Sequence, residues 1–389
     1  MFRMPVLLCL FCVGVLQASA QTPVAVSGQS LPGMEALDEA MQSLMQNNGY
    51  PGGTLAVAFQ GRLVLNKAYG LAKSGVFSKT PMQVDQRMRI ASMSKLITAV
   101  AALKAAEQGK LDLDQPFVKL LGFPANPAEY ADPRVLQITV RQLLQNHAGW
   151  TIDRAKDPMF ERTPACPGSA ARWLANVKLD AEPGQLYSYG NINFCLAQQV
   201  IEKATGQKYV DFVKTHIAAP AGIRSWEFAT LRGKDDEPEY VSENGSAYSG
   251  IDFESLGGAG AWTSTAADYV RFLSALRNHG GRSLLSAASF AQLYGRPAAA
   301  ASAGNPVYYG LGVRARMLDA TRVNLWHSGS LPGTSSLGLS YASGWNIVVI
   351  FNSRVAGPDR DQATGDTDRL LGQAAGKIRL PPGEIAPLW

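Results

Sequence analysis

Residues 89–99 read RIASMSKLITA: two serines flank a methionine, and a lysine follows the second. Which serine is chemically useful depends on how this stretch folds. The chain continues as SKLITAVAALKAAEQGKL, with Ile97, Val100, Ala101 and Leu103 at helical spacing and Gly109 placed to end the run. That pattern predicts a largely apolar, buried helix. If it begins near Ser92, then Ser92 and Lys95 lie three apart on one face and meet within a turn, whereas Ser94 and Lys95 are adjacent and diverge. A serine at a helix start also has free backbone amides beside it that can hold an oxyanion. Ser92 is therefore the candidate nucleophile. Lys95 must be neutral to act as a base, which costs about 4–5 kcal/mol at pH 7 from a reference pKa near 10.4 unless desolvation removes most of it. The triplet has a plainer reading too. One SxxK is expected by chance in a chain of this length, and a serine before a helix is most often only an N-cap.

Outward from this helix the organisation is mixed. A helix from about Leu37 to Gln46 precedes TLAVAFQGRLVLNKAYG, two β-rich runs joined at Gln60 and Gly61, which is a hairpin pattern. The middle third alternates Pro-rich loops with helical patterns at TVRQLLQNH, SAARWLANVK and FCLAQQVIEKATG. After the charge-dense LRGKDDEPEYVSENGS comes a helix at TAADYVRFLSALRN, then strands at YYGLGVRAR, SSLGLSYAS and WNIVVIFNS. Strands at both ends with helices between them imply an α/β layer built from the two termini, with a helical insertion.

The first twenty residues, MFRMPVLLCLFCVGVLQASA, carry a basic Arg3, an apolar run from Val6 to Leu16 and small residues at Ala18, Ser19 and Ala20. They read as a secretory signal cleaved after Ala20, too short to span a bilayer. Neither Cys9 nor Cys12 follows the small residue that a lipoprotein signal requires, so the expected product is soluble, periplasmic or secreted, and runs over 21–389. Losing Arg3 leaves a formal charge of 35 − 31 = +4 with no basic run, which argues against nucleic acid as a partner. Cys166 and Cys195 are the two remaining cysteines; an oxidising compartment permits a disulfide between them, and two separate buried thiols are the alternative. The four histidines form no close ligand pair, so neither a structural nor a catalytic metal is expected.

Two further constellations bear on Ser92. In AEPGQLYSYGNINFCLAQQ a Pro-Gly turn leads into a helix, and Tyr189 and Asn191 have YxN spacing. Such a tyrosine can set its hydroxyl beside Ser92 and Lys95 while the asparagine amide orients a substrate carbonyl; a loop tyrosine with an N-capping asparagine is the bland reading. In NLWHSGSLPGTSS, His327, Ser328, Gly329 and Ser330 are expected to open a strand along whose edge a substrate could pair.

SxxK, YxN and HxG in this order resemble the serine β-lactamase and penicillin-binding-protein superfamily, specifically its class C β-lactamase-like branch. The likeness includes LKAAEQGKLDLDQP, ITVRQLLQNHAGW, PGQLYSYGNINFCLAQQVIEKATGQKYVDFV and GAWTSTAADYVRFLSAL, and runs from about Leu37 to Ser353. The resemblance implies an antiparallel sheet flanked by helices with an inserted, mainly helical subdomain. It implies Ser92 as acylated nucleophile, Lys95 and Tyr189 as the proton-transfer pair, and Asn191, His327, Gly329 and Ser330 as the substrate-binding set. The backbone amides of Ser92 and Ser330 would form the oxyanion hole.

The chain also departs from the β-lactamase pattern. Lysine is usual where His327 stands, and a histidine near pKa 6.5 is only about a quarter charged at pH 7, so attraction for a substrate carboxylate should weaken. Histidine there is familiar from D-alanyl-D-alanine peptidases, D-aminopeptidases and esterases. Relatives commonly carry histidine where Asn146 falls, and no role is assigned to His147. The resemblance thus implies a serine hydrolase acting on a small ester or D-amino-acid peptide, with a class C-type β-lactamase and a non-hydrolytic penicillin-binding or sensing protein as alternatives. A Ser-His-Asp hydrolase using His327 lacks the GxSxG elbow.

Overall fold

The computed structural model describes residues 24–380 except 76–77, 153–156, 161–165, 167, 243–244, 300–303 and 356; the expected signal at 1–20 lies outside the described residues. In chain order the strands are β1 (Val26–Ser30), β2 (Gly52–Phe59), β3 (Arg62–Gly75), β4 (Ser78–Pro81), β5 (Met88–Arg89), β6 (Glu227–Phe228), β7 (Trp262–Ser264), β8 (Val307–Tyr309), β9 (Arg314–Met317), β10 (Val323–Leu331), β11 (Thr334–Ser340) and β12 (Trp345–Phe351). The longer helices are α1 (Glu35–Asn48), α2 (Ser94–Glu107), α3 (Asn191–Thr205), α4 (Phe253–Gly260), α5 (Ala266–Leu276) and α6 (Arg360–Lys377). None of the described helices is long and apolar enough to cross a membrane.

An antiparallel sheet in the order β1-β3-β2-β12-β11-β10-β9-β8 joins the two ends of the chain, because β2 pairs with β12 over seven residues, Gly53–Phe59 against Trp345–Phe351. Both strands are apolar nearly throughout, as a strand covered on both faces must be. Leu55, Val57, Ile347 and Val349 pack on one side against Leu37, Met41 and Leu44 of α1 and Leu371 of α6. Ala56, Ala58, Val348 and Ile350 belong to the other core, which contains α2, α3, α5 and the inserted helical part between β5 and β7. The expected arrangement of a two-termini sheet with a helical insertion is the observed one.

α2 is buried on almost every side, from Ser94 to Leu103 and again at Ala105. Its length follows from SKLITAVAALKAAE, a run of good helix formers without glycine or proline. Gly109 takes φ +68 just beyond the end, and Lys110 N–H returns to the Ala105 carbonyl, so Gly109 terminates the helix as expected. The α-helix itself starts at Ser94 rather than Ser92, which sits in a 3-10 turn, Ala91–Met93, feeding directly into it. Ala91 holds φ +49, a left-handed conformation uncommon for a residue with a Cβ, immediately before Ser92.

Three expectations about local structure are corrected. YYGLGVRAR is two strands, not one: Gly310 N–H bonds the Val313 carbonyl in a turn, and Gly312 takes φ +62 where a side chain would collide with the Lys95 backbone. TVRQLLQNH is helical only over Val140–Leu144, and Asn146, at φ +58, turns the chain away. His327–Ser330 do not open a strand but occupy the second half of β10. The Pro332-Gly333 turn closes that strand, because Val323 and Leu325 already alternate inward ahead of the motif.

β10 lies directly on the turn that carries Ser92. A Cβ at Gly329 would collide with the Ile90 carbonyl oxygen and the Ser336 hydroxyl, which are themselves hydrogen-bonded at 2.9 Å. Gly329→Ala should therefore overpack this contact and lower unfolding free energy by about 1–3 kcal/mol in urea denaturation. An unchanged midpoint would show that strand and turn are not seated this closely.

Candidate active site

The turn, the end of β10 and the start of α3 meet around a cavity of about 700 Å³, bordered by Ser92, Tyr189, Asn191, His327, Ser328 and Ser330 among others. Gly329 does not border it; its contribution is the close approach just described. The two serines of RIASMSKLITA separate here. Ser94 is fully buried, and its hydroxyl accepts the Trp262 amide at 3.2 Å, a packing role. Ser92 faces the cavity, and it does not cap α2: no side chain caps that helix.

Lys95 is fully buried, and its Nζ lies 3.1 Å from Ser92 Oγ, 2.6 Å from Asn191 Oδ1 and 2.7 Å from the Ala259 carbonyl oxygen. Burial brings its pKa down to about 7, against the opposing charge of Asp157. The inventory of donors then fixes the geometry. A neutral amine has two N–H groups and one lone pair. The carbonyls of Asn191 and Ala259 can only accept, so they take both N–H groups and leave the lone pair to the Ser92 hydroxyl. Tyr189 also hydrogen-bonds Ser92, and burial pushes its phenol well above its ordinary value, so it remains a donor.

Asn191 is the first residue of α3, and its amide orientation is set by Asp157: one carboxylate oxygen accepts both the Asn191 backbone N–H at 2.8 Å and Nδ2 at 2.7 Å. Oδ1 is thereby turned to Lys95. The bland reading of Asn191 as an N-cap does not hold, since Gly190 occupies that position and no side chain caps α3. Asn146 holds the preceding loop: its carbonyl accepts Ser188 N–H at 2.8 Å, and its Oδ1 accepts Gly190 N–H at 3.2 Å and Asn193 Nδ2 at 2.8 Å.

His327 is buried with both ring nitrogens engaged. Nδ1–H donates to the Ser328 carbonyl at 2.6 Å, and Nε2 accepts from the Tyr309 hydroxyl at 2.9 Å. Burial, with the nearby Lys95 charge, lowers its pKa to about 3. The expectation of a quarter-charged histidine is thus corrected to a neutral one, and this engagement leaves no ring nitrogen to serve Ser92 in a Ser-His-Asp arrangement. The cations bordering the cavity are arginines, Arg314, Arg354 and Arg360.

β9 pairs with β10 only as far as Trp326, so among the described residues no strand lies on that edge from His327 to Leu331. Leu331 and Thr334 flank a two-residue turn, and the alternation of antiparallel pairing points the Ser330 amide away from β11, toward that open edge.

The structure brings Ser92, Lys95, Tyr189, Asn191, His327 and Ser330 together as neighbours, and it adds Asp157, Asn146 and the Ala259 carbonyl, which the sequence motifs do not include. The glycine run LGGAG of α4 was an available signal for the last. A Cβ at Gly258 would lie 2.6 Å from Thr98 Oγ1, so the glycines let α4 approach α2 closely enough to present a carbonyl to Lys95. Cys166 and Cys195 are in disulfide contact, with Cα atoms 6.2 Å apart, which ties Cys166 to α3.

Comparison with known proteins agrees with this architecture. A D-aminopeptidase of Brucella anthropi is 34% identical over 208 residues, covering 52% of this chain and 37% of that protein. Lovastatin esterase of Penicillium rubens is 30% identical over 298 residues, covering 68% of this chain and 74% of the esterase. The chain spans about half the length, or less, of several curated relatives it matches. The crystal structure of D-amino acid amidase from Ochrobactrum anthropi SV3 with L-phenylalanine superposes with a TM-score of 0.68 at 23% identity, over 87% of this chain and 98% of that one, a likeness of fold. Residues 37–371 match the family model described as Beta-lactamase, and with that span the chain belongs to the Beta-lactamase family, within the serine β-lactamase and penicillin-binding-protein superfamily.

Proposed function

We propose that this chain is a serine hydrolase that is acylated on Ser92 and hydrolyses a small ester or a D-amino-acid amide or peptide. The observation that carries the reading is the buried Lys95 amine, whose Nζ lies within hydrogen-bond reach of Ser92 Oγ, Asn191 Oδ1 and the Ala259 carbonyl; in the neutral form the two carbonyls take its N–H groups and its lone pair is left for the Ser92 hydroxyl. Lys95 is the base and Tyr189 the relay, because burial brings the amine near neutrality and drives the phenol away from it. Ser92 Oγ gives its proton to Lys95 as it bonds the substrate carbonyl carbon. The resulting oxyanion lies at the amides of Ser92 and Ser330. The proton passes through the Tyr189 hydroxyl to the leaving oxygen or nitrogen as its bond to carbon breaks. Water then repeats the sequence against the acyl-enzyme, releasing the acid and restoring Ser92.

The relatives named D-aminopeptidase and lovastatin esterase support the ester and D-amino-acid amide classes. A neutral His327 supports placing β-lactams behind both, since it offers no charge to a substrate carboxylate. Export as a periplasmic or secreted protein belongs to the same proposal; the apolar leader and the Cys166–Cys195 contact support it.

Incubation with a serine-directed fluorophosphonate and a chromogenic short-chain ester tests the assignment. Ser92→Ala should lose labelling and reduce turnover by at least about 10³-fold, whereas Ser94→Ala should still label. Unchanged activity in Ser92→Ala would refute the nucleophile. Labelling without turnover of esters, D-alanyl peptides or β-lactams would favour the sensing alternative.

The pH profile tests the base. The active amine is neutral, so kcat/KM should rise with pH through an inflection near 7, and His327 should add none above about pH 4. Asp157 favours the ammonium, so Asp157→Asn should move that inflection to lower pH. A profile flat between pH 5 and 9, or one that falls through 7, would contradict Lys95 as base.

A further inference from the structure

Beside the cavity that holds Ser92 lies a second, of about 370 Å³, formed by His147, Tyr187, Val307, Tyr308, Tyr309 and Arg314. Arg314 borders both. Rings form the wall between them: Tyr309 lies 5.7 Å from Tyr187, 6.0 Å from Tyr189 and 5.8 Å from His327, centroid to centroid. On the far side His147 packs 5.7 Å from Tyr187.

The position of this cavity relative to the reacting atoms gives it a role. A substrate with its carbonyl oxygen at the Ser92 and Ser330 amides has two arms. Along β10 one arm runs toward Leu331 and Pro332 into the larger cavity. The other runs past His327 toward Arg314, which faces Trp326 in the β9–β10 register. The leaving atom must collect a proton as its bond to carbon breaks, and the donor placed for that is Tyr189, whose ring abuts Tyr309. The leaving group therefore departs toward the second cavity.

We infer that the second cavity receives the leaving group of the substrate and that the group it fits is a planar aromatic alcohol or amine. This rests on the hydrolase reading above. Tyr187, Tyr308 and Tyr309 offer ring faces and edges, and a guanidinium plane such as that of Arg314 stacks well on an aromatic guest. His147 Nδ1–H donates to the Gln145 carbonyl at 2.8 Å, so its Nε2 is an acceptor for the O–H or N–H that the departing group acquires. For an aryl ester the step balances: the Ser92 oxygen bonds the acyl carbon, the acyl–oxygen bond breaks, and the serine proton ends on the phenol.

Two esters with one acyl group, an aryl and a fluoroalkyl ester whose alcohols are matched in acidity, test this in the purified protein. The ratio of their kcat/KM values should fall roughly tenfold in Tyr187→Ala and be restored in Tyr187→Phe. Tyr187 is 40% exposed, so its truncation leaves the core intact. An unchanged ratio in Tyr187→Ala overturns the inference. Saturation-transfer NMR with 2-naphthol gives a readout independent of turnover: binding retained in Ser92→Ala and lost in Tyr187→Ala supports the pocket. Hydrolysis of both esters without naphthol binding overturns the pocket and leaves the hydrolase reading standing. Naphthol binding with no turnover of either ester overturns the leaving-group assignment together with that reading.

Discussion

The desolvation of one amine is the constraint on which the site depends. Lys95 sits at the centre of the helical core, where an ammonium loses its hydration and the two carbonyls, the Ser92 hydroxyl and the charge of Asp157 offset only part of that loss. Moving its pKa from the ordinary lysine value to about 7 corresponds to about 5 kcal/mol in favour of the neutral amine. That is the amount which a lysine base needs near neutral pH, and it comes from packing rather than from a neighbouring cation. It carries a cost in stability. The folded protein holds this proton less tightly than the unfolded chain does, so the contribution of Lys95 to stability rises as pH climbs from about 7 toward the unfolded value near 10.4 and is least below 7.

The surrounding fold maintains that burial. β2 and β12 fuse the two ends of the chain into one sheet, and β10 lies against the turn that carries Ser92 through the side-chain-free Gly329. On the opposite side, the glycines of α4 bring the Ala259 carbonyl within 2.7 Å of the amine. Asn146 and Asp157 hold the loop and helix start that supply Tyr189 and Asn191. Each of these contacts spans a long sequence distance, so the site exists only when sheet and insertion have both assembled.

This division explains what was legible in the sequence. Ser92 and Lys95 share a helical period, and Tyr189 and Asn191 share a turn, so local spacing was enough to pair them. The apolar strands and the Gln60-Gly61 hairpin carried their own pattern as well. Asp157 did not: it lies 34 residues from the asparagine it orients, in a loop without periodicity. The neutrality of His327 was equally hidden, because it follows from Tyr309 and from burial rather than from the residues beside it. The split of β8 from β9 falls at Gly310 and Gly312, a glycine pair that was the local signal for it: Gly310 N–H bonds the Val313 carbonyl, and Gly312 packs on the Lys95 backbone.

The proposed mechanism requires Lys95 to be a neutral amine at working pH, which its own titration measures. With lysines labelled at ¹³Cε, the Lys95 resonance, assigned by comparison with Lys95→Arg, should titrate near pH 7. A midpoint above pH 10 would contradict that mechanism, leaving the amine charged where the proposal has it accept the Ser92 proton.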